Sequence, residues 1–408
     1  MDQRMRTPNL ATGSLYMSCV AASAAGRNAY YIIAAWAALI ASDTAALVAI
    51  LLGAGSIAEV LTTNFGGSLV DRFDRRIVCI ICDALRLLVV VATGVGIALG
   101  CTIPVLLTSW IAYSVIDRTY LTCLQALIPS VARTERLRAF NSLSYMVMQV
   151  ANFVSAFVAG LLLSSAAEKF CFLLPVGCFA ASLCLMAQFR HAPPEPGSGE
   201  ERKCDGLGTA AMLPTLLPLE RLRKSAVVYA LIYTMGMLVT VLASALVRQE
   251  LHGPALQFGY IEAAWAAGSV VGCAFLLCHG GDARRTDVVL HLALSGLVLS
   301  GFLIWQDIIV ALIQMFVLGF SYNAARILID VETQLAVPSS QLGRTRSQIH
   351  TVCVAAGLFA YSLIAFLGSS VLPSVVFGTF GILMLAVAGG LLFWPPERAE
   401  PIEGLSET

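Results

Sequence analysis

Long apolar runs separated by short polar breaks make up most of the chain. A run of about 20 predominantly apolar residues is long enough to cross a bilayer as an α-helix. Most breaks are tight, such as Ser42-Asp43-Thr44. The pattern predicts an all-α integral membrane protein with twelve transmembrane helices. The predicted helices lie near residues 14–40, 45–65, 77–99, 103–128, 140–164, 169–189, 225–247, 257–279, 287–305, 308–330, 347–369 and 372–394.

One polar break is much longer than the others. Residues 191–224 begin with a proline- and glycine-rich stretch that is followed by Glu200, Glu201, Arg202 and Lys203. Such a segment cannot bury enough apolar surface to fold alone. We interpret it as a cytoplasmic linker between an N-terminal six-helix half (residues 1–190) and a C-terminal six-helix half with a short tail (residues 225–408).

The composition excludes most soluble functions. The 408 residues are 58% hydrophobic and only 12% charged, whereas a soluble domain carries about 25% charged residues. The formal net charge is zero, so no bulk attraction draws the chain to nucleic acid. The 12 cysteines lie singly or in pairs such as Cys79 and Cys82 within apolar stretches, and we expect neither a metal site nor a cofactor.

The basic residues predict the orientation. If both termini are cytoplasmic, the predicted loops place only Lys169 and Arg248 on the opposite side, and nearly all other loop arginines and lysines lie on the cytoplasmic side. This is the asymmetry that the positive-inside rule describes. We therefore expect a multi-pass protein of a bacterial cytoplasmic (inner) membrane, with both termini cytoplasmic. The first apolar run is interpreted as a transmembrane helix and not as a cleaved signal peptide.

Two landmarks recur in the same register. Gln125-Ala-Leu-Ile-Pro129 returns as Gln334-Leu-Ala-Val-Pro338, and the same spacing carries the Arg75-Arg76 pair onto Arg284-Arg285. The halves therefore look like a parallel duplication. In the second half, Gly268 and Gly272 form a Gly-x-x-x-Gly pattern, which predicts close helix packing.

The loop after the second predicted helix contains a recognisable motif. It contains Gly66-Gly67, Asp71-Arg72 and Arg75-Arg76, and it resembles the loop motif of major facilitator superfamily transporters. Asp74 stands where that motif usually has glycine, a variant that the drug- and siderophore-exporter branch often shows. Further stretches are similar to macrolide-efflux-like and enterobactin-exporter-like bacterial proteins: Asp83-Ala-Leu-Arg86, Leu137-Arg-Ala-Phe-Asn141 and Leu342-Gly-Arg344.

We expect this loop to act as a conformational latch formed by Gly67, Asp71, Arg72, Arg75 and Arg76. Glycine permits close approach of two helices, Asp71 can accept hydrogen bonds at a helix N-terminus, and the arginines can pair with carboxylates or lipid phosphates. The alternative is a plain positive-inside anchor.

Several charged residues fall inside predicted helices. A charge in hydrocarbon costs about 2.5–3.5 kcal/mol on insertion scales, so each should be paired or functional. The spacing explains Asp83 with Arg86 and Arg326 with Asp330 as pairs on one helix face. The residues left over are Arg27, Glu59, Asp117, Arg118 and Glu262.

The resemblance implies that the first, fourth, seventh and tenth helices line a central cavity, and these helices carry Arg27, Arg118 and Arg326. Their guanidinium groups favour an anionic substrate that they bind bidentately. Tyr229 and Tyr233 are candidates for aromatic contacts. The alternatives are that Arg27 pairs with Glu59 and that the tyrosines serve helix packing.

Proton coupling needs a carboxylate that binds and releases a proton as its surroundings change. Asp117, Glu59 and Glu262 are the candidates. Asp117 comes first because it lies on a helix expected to line the cavity, beside Arg118.

The leading expectation is a monomeric secondary transporter that is not an enzyme. It exports a small or medium organic compound, such as a siderophore or a drug, against protons by alternating access. Of the Gly-Pro-x-x-x-Gly pattern that exporters usually carry in the fifth helix, only Gly160 is present. An importer of the same fold is therefore the main alternative, and a membrane sensor or scaffold the second. The expected partners are the substrate, protons and membrane lipid.

Overall fold

The computed structural model describes residues 10–131, 137–165, 170–189, 217–279, 285–336, 339–368 and 370–393. Within these ranges the chain forms twelve α-helices and no strand, which confirms the all-α, twelve-helix prediction. The helices are α1 (Leu10–Ser42), α2 (Ala45–Arg72), α3 (Arg75–Ala98), α4 (Thr102–Val131), α5 (Leu137–Leu163), α6 (Leu173–Gln188), α7 (Leu217–Ala245), α8 (Ala255–His279), α9 (Arg285–Ser300), α10 (Ile308–Ala336), α11 (Ser339–Leu367) and α12 (Pro373–Phe393).

Several helix ends differ from the sequence prediction, among them both ends of α7. Residues 217–224, assigned to the linker, form the first turns of α7, and the remainder of the linker lies outside the described residues. At its other end α7 continues into a wide π-helical turn, Leu246–Glu250. This helix start was not predicted because its first turns contain Pro218 and four charged residues, Glu220, Arg221, Arg223 and Lys224.

The outer surface is apolar, as a membrane requires. Seven helices among the described residues are long and apolar enough to cross a bilayer, and three shorter apolar helices accompany them. Leu61, Leu88 and Phe366 are among the large side chains that project outward from them. In water so much exposed apolar surface would drive association, so these faces are expected to contact lipid.

Small residues bring helices close together within the C-terminal half. Added Cβ atoms on Gly268 and Gly272 of α8 would collide with the backbone of Phe316 and Phe320 on α10, and one on Gly319 would collide with Trp265. The close packing predicted from the Gly268-x-x-x-Gly272 pattern is thereby confirmed.

The two halves contact each other mainly through α5 with α8 and α2 with α11. Several hydrogen bonds between the halves lie at the end of the bundle that holds the α1–α2 connection, which we call the Asp43 end. There Arg248 lies 3.5 Å from Asp43, the Gln249 side chain donates to the Asp43 carbonyl (2.9 Å), and the backbone N–H of Leu256 donates to the Ser164 hydroxyl (2.6 Å).

At the opposite end, where α1 begins (the Leu10 end), the described apolar cores belong to one half each. One contains Tyr16, Cys79 and Tyr120 of the N-terminal half, and the other contains Ile349 and Cys353 of the C-terminal half. A single larger core joins both halves towards the Asp43 end. The structure is therefore a conformation that is closed at the Asp43 end.

Candidate functional site

A central cavity of about 360 Å³ lies between the two halves. Both halves contribute to its wall, which combines charged, amide and aromatic side chains. The lining residues used below are Arg27, Tyr31, Glu59, Trp110, Tyr113, Asp117, Gln149, Asn152, Thr240, Glu262, Trp265 and Tyr361. A second cavity of about 260 Å³ shares Thr240, Glu262 and Trp265 with it. Polar groups that converge on a mostly pre-formed cavity are typical of a small-molecule site.

A buried ion network supports one wall of the cavity. Arg86 has no exposed surface and forms ion pairs with Asp83, on the same helix, and with Asp117 of α4 (2.7 Å). Its guanidinium lies 3.7 Å from the centre of the Tyr120 ring and donates to the Ser23 hydroxyl (3.0 Å). The pairing of Asp83 with Arg86, predicted from their spacing, is confirmed. Asp117 also joins the pair, because α3 packs against α4.

Arg27 reaches this network from the cavity side. Its Nη1 atom lies 3.8 Å from Asp117 Oδ2, and its Nη2 atom donates to the Met148 sulfur (3.2 Å). The neighbouring Asn28 side chain donates to the carbonyl of Asn152 and to the Ser155 hydroxyl, both at 3.0 Å. These bonds fix the middle of α1 against α5 and place Asp117 between two guanidinium groups.

On the other side of the cavity, Glu262 connects the two halves. The Tyr31 hydroxyl of α1 donates to the Thr240 carbonyl of α7 (2.6 Å) and lies 3.2 Å from Glu262 Oε1 of α8. Among the residues that the structure describes, no arginine or lysine forms an ion pair with Glu262. The carboxylate therefore lies in a partly buried, mainly aromatic part of the wall, with a hydroxyl as its hydrogen-bond partner.

The structure brings together four of the predicted site residues, namely Arg27, Glu59, Asp117 and Glu262. Tyr233 lines the second cavity. Arg118, Arg326 and Tyr229 line neither of the two. Arg118 is close enough to Glu59 to interact with it electrostatically.

Arg326 interacts instead with Tyr145 of the opposite half. Its Nη1 atom donates to the Tyr145 hydroxyl (3.4 Å), which in turn donates to the Asn323 side chain, and the guanidinium lies 5.5 Å from the Tyr145 ring centre. Asp330 lies within electrostatic range of Arg326. Of the three arginines expected in one cavity, the described lining therefore contains only Arg27.

The structure describes the side chains of only part of the loop motif. Gly67, Asp71 and Arg72 lie at the end of α2, where the side chains fall outside the described residues. Arg75 donates to the Ala126 carbonyl of α4 (2.8 Å), and Arg76 donates to the Met186 and Ala187 carbonyls at the end of α6. The partners of these two arginines are thus backbone carbonyls of their own half, where we had expected carboxylates or lipid phosphates. The Met186 and Ala187 carbonyls lie in the last turn of α6, where the helix dipole attracts cations.

Most of the aromatic wall was not found from the sequence. Tyr31, Trp110, Tyr113, Trp265 and Tyr361 line the cavity, but in an apolar helix an aromatic residue facing a cavity looks the same as one facing a neighbouring helix. The Glu262-x-x-Trp265 spacing was the one available signal, since residues three apart share a helix face.

Chemically, the lining has the groups that bind a small molecule. It offers carboxylates, one guanidinium, amides and aromatic faces. In the described residues no group of three or more histidine, cysteine or acidic side chains is arranged to hold a metal ion.

Sequence comparison defines the class of protein. The family model of the Major Facilitator Superfamily matches residues 16–360. The chain therefore belongs to the Major Facilitator Superfamily and is a multi-pass membrane transporter. No curated protein matches the chain in sequence.

Solved structures are similar in fold. A crystal structure of the nucleoside transporter NupG has a TM-score of 0.72 at 10% identity and covers 94% of this chain and 100% of its own. A bacterial homologue of the iron transporter ferroportin, in an inward-facing state, has a TM-score of 0.71 at 15% identity, with 95% and 97% covered. The peptide transporter POT in complex with sulfate has a TM-score of 0.72 at 14% identity, with 96% and 95% covered. At these identities the likeness concerns the fold alone.

Proposed function

We propose that this transporter is a proton-coupled exporter of a small organic compound, which it binds in the central cavity. The observation that carries the proposal is the Tyr31 bridge, because it joins a carboxylate of one half to a helix of the other. In this proposal the Leu10 end faces the cytoplasm, so the conformation described is open inward. The two six-helix halves (residues 1–190 and 225–408) move as units about the cavity.

The Tyr31 bridge gives protonation a mechanical consequence. A hydroxyl has one proton, which Tyr31 must divide between the Thr240 carbonyl and Glu262. When Glu262 is protonated, its own O–H can donate to the Tyr31 oxygen, and the Tyr31 proton is free for Thr240. Protonation of Glu262 therefore adds a hydrogen bond between the halves and stabilises the closure of the Asp43 end.

The geometry changes the order of the proton-coupling candidates. Asp117, which the sequence placed first, is already engaged in ion pairs with Arg86 and Arg27. Glu59 has Arg27 and Arg118 within electrostatic range. Glu262 lacks such a neighbour among the described residues, so we place it first, with Glu59 and Asp117 after it.

Export is supported by the resemblance of the loop motif and helix sequences to the exporter branch. Import remains the second candidate, because the residue expected to be proline in the fifth helix is Ala156. Gly160, the one residue of that pattern present, packs against Gly259 of the other half. This position can regulate closure in either direction of transport.

The test is transport by the purified protein in liposomes. Liposomes with an imposed pH gradient are given a mixture of organic cations, anions and neutral compounds, and the internal contents are quantified by mass spectrometry. We expect wild-type protein to move at least one compound in a gradient-dependent way, and Glu262→Gln to lose that dependence. Glu250→Gln is the matched control, since Glu250 lies outside the cavity and its Oε1 accepts from the backbone N–H of Ser374.

Two further variants distinguish the roles of Asp117 and Arg118 in the N-terminal half. We expect Asp117→Asn to reduce transport strongly, because it leaves Arg27 and Arg86 without their shared partner. Arg118→Ala should reduce transport less, because Arg118 is absent from the described lining. If wild-type protein moves no compound beyond empty liposomes, the proposed function is wrong.

A further inference from the structure

The charges of the central cavity favour a different substrate from the one that the sequence suggested. Three carboxylates, Glu59, Asp117 and Glu262, line it, and Arg27 is the one guanidinium in the described lining. Arg27 already lies 3.8 Å from Asp117, so its charge is partly neutralised. An anion entering the cavity would meet more negative than positive charge.

Glu262 is the carboxylate best placed to attract a cation. Asp117 is paired with Arg86 at 2.7 Å, and Glu59 lies within range of Arg27 and Arg118. Glu262 faces both cavities and has the Tyr31 hydroxyl as its hydrogen-bond partner. Of the three cavity carboxylates, Glu262 is thus the one with no described arginine or lysine shown beside it.

Aromatic rings surround the same position. Trp265 lies one turn from Glu262 on α8, and its ring centre lies 5.4 Å from that of Tyr322. Tyr31 and Tyr361 line the first cavity, while Tyr233 and Tyr322 line the second. Aromatic faces attract cations, most strongly where water is excluded.

The hydrogen-bonding groups point the same way. The side-chain oxygen of Asn152, another lining residue, has no hydrogen-bond partner among the described residues. The Asn28 amide, in contrast, is already engaged with Asn152 and Ser155. The Asn152 oxygen can therefore accept a hydrogen bond from a ligand that carries N–H groups or a positive charge.

From these observations we propose that the substrate is an amphipathic organic cation, whose positive charge lies against Glu262 between aromatic rings. This inference rests on the proposed function and deepens it. It also replaces the anionic preference expected from Arg27, Arg118 and Arg326. Because Glu262 is also the first candidate for the proton, proton and cation compete for one carboxylate.

The test uses two probes of one shape and opposite charge, tetraphenylphosphonium and tetraphenylborate. Binding of each radiolabelled probe to purified protein in lipid nanodiscs is measured by equilibrium dialysis, with empty nanodiscs subtracted. We expect wild-type protein to bind the phosphonium at least tenfold more tightly than the borate. Glu262→Gln should lose at least tenfold in phosphonium affinity, whereas Glu262→Asp and the control Glu250→Gln should keep most of it.

The outcomes separate this inference from the proposed function. The cation assignment would be overturned by equal affinities for the two probes, by a preference for the borate, or by no measurable phosphonium binding. It would also be overturned if Glu262→Gln bound the phosphonium like wild type. Gradient-driven transport of anions alone in the liposome assay would overturn it too, while leaving the proposed function intact. Glu262→Asp keeps the test valid if Glu262→Gln does not fold. Aspartate retains the negative charge, so this variant is expected to retain the preference for the phosphonium over the borate.

Discussion

Arg86 is fully buried, as is its partner Asp83, and two carboxylates and two aromatic rings surround it. Removing one partner of a buried ion pair costs about 3–5 kcal/mol, because the other charge is left without compensation. A group in such a position maintains the shape of the N-terminal half and, through Asp117, one wall of the cavity.

We therefore expect Arg86→Met to lower the free energy of unfolding by about 3 kcal/mol or more. The measurement is thermal or denaturant unfolding of the purified protein in detergent. Arg248→Met is the control, because Arg248 is paired with Asp43 at an exposed position and such pairs contribute about 0–1 kcal/mol. Equal stability of Arg86→Met and wild type would contradict the network.

Tyr31→Phe removes the hydroxyl that joins Glu262 to Thr240 and leaves the ring in place. A hydrogen bond contributes about 0.5–1.5 kcal/mol, so we expect the closed population at the Asp43 end to fall by up to about tenfold. Labels at Ser165 and His252, followed by distance spectroscopy, measure this population. Tyr260→Phe is the matched control, since Tyr260 also contacts the other half, where its ring stacks on Phe157 across the α5–α8 interface. Identical populations in Tyr31→Phe and wild type would show that the bridge does not stabilise closure.

At the residue scale, the sequence predicted which charges are enclosed in the membrane better than it predicted their partners. Asp83 and Arg86 could be paired because they are three apart on one helix, but the addition of Asp117 depends on how α3 packs against α4. Arg326 was assigned to the cavity from its helix alone. Its actual partner, Tyr145, lies on α5 of the other half, and nothing in the local sequence encodes that contact.

At the scale of helices, the α5–α8 crossing holds the closed end together. A Cβ atom on Gly160 would lie 2.8 Å from the Gly259 Cα, and one on Gly259 would lie 2.7 Å from the Ala156 carbonyl oxygen. The two backbones are therefore in direct contact, as small residues allow in membrane helices.

Gly160→Val should open this crossing. Because no backbone can shift to admit the side chain without separating the halves, we expect the Asp43 end to populate its open state more than in wild type. Cysteine-independent labelling at Ser165 and His252 gives the readout. Gly177→Val serves as the control, since nothing lies within 4 Å of a Cβ at Gly177. If Gly160→Val and Gly177→Val gave the same distances, the crossing would not govern closure.

Hydropathy alone was sufficient to predict the number of helices, because each must bury its backbone polar groups in hydrocarbon. Their ends were less predictable. The π-helical turn at Leu246–Glu250 and the first turns of α7 depend on tertiary contacts, including the hydrogen bonds of Gln249 and Glu250 to other helices.

At the scale of the whole molecule, the proposed transport requires an exchange between two conformations. The described conformation is closed at the Asp43 end, and its cores are separate near the Leu10 end. A transporter must also populate the reverse arrangement. In the proposed function, protonation of Glu262 biases this exchange, since it adds a hydrogen bond between Glu262 and Tyr31, which the described conformation brings together.

The most direct test measures one distance at each end of the same protein as a function of pH. Non-canonical amino acids carry labels at Ser165 and His252 for the Asp43 end, and at Phe73 and Val331 for the Leu10 end. As the pH falls, we expect shorter distances at the Asp43 end and longer distances at the Leu10 end. Glu262→Gln, which mimics the protonated side chain, should show the low-pH distances at every pH, and Glu250→Gln should follow wild type. The proposed role of Glu262 would be contradicted if the distances did not depend on pH or changed in the same direction at both ends. It would also be contradicted if the distances in Glu262→Gln responded to pH as in wild type.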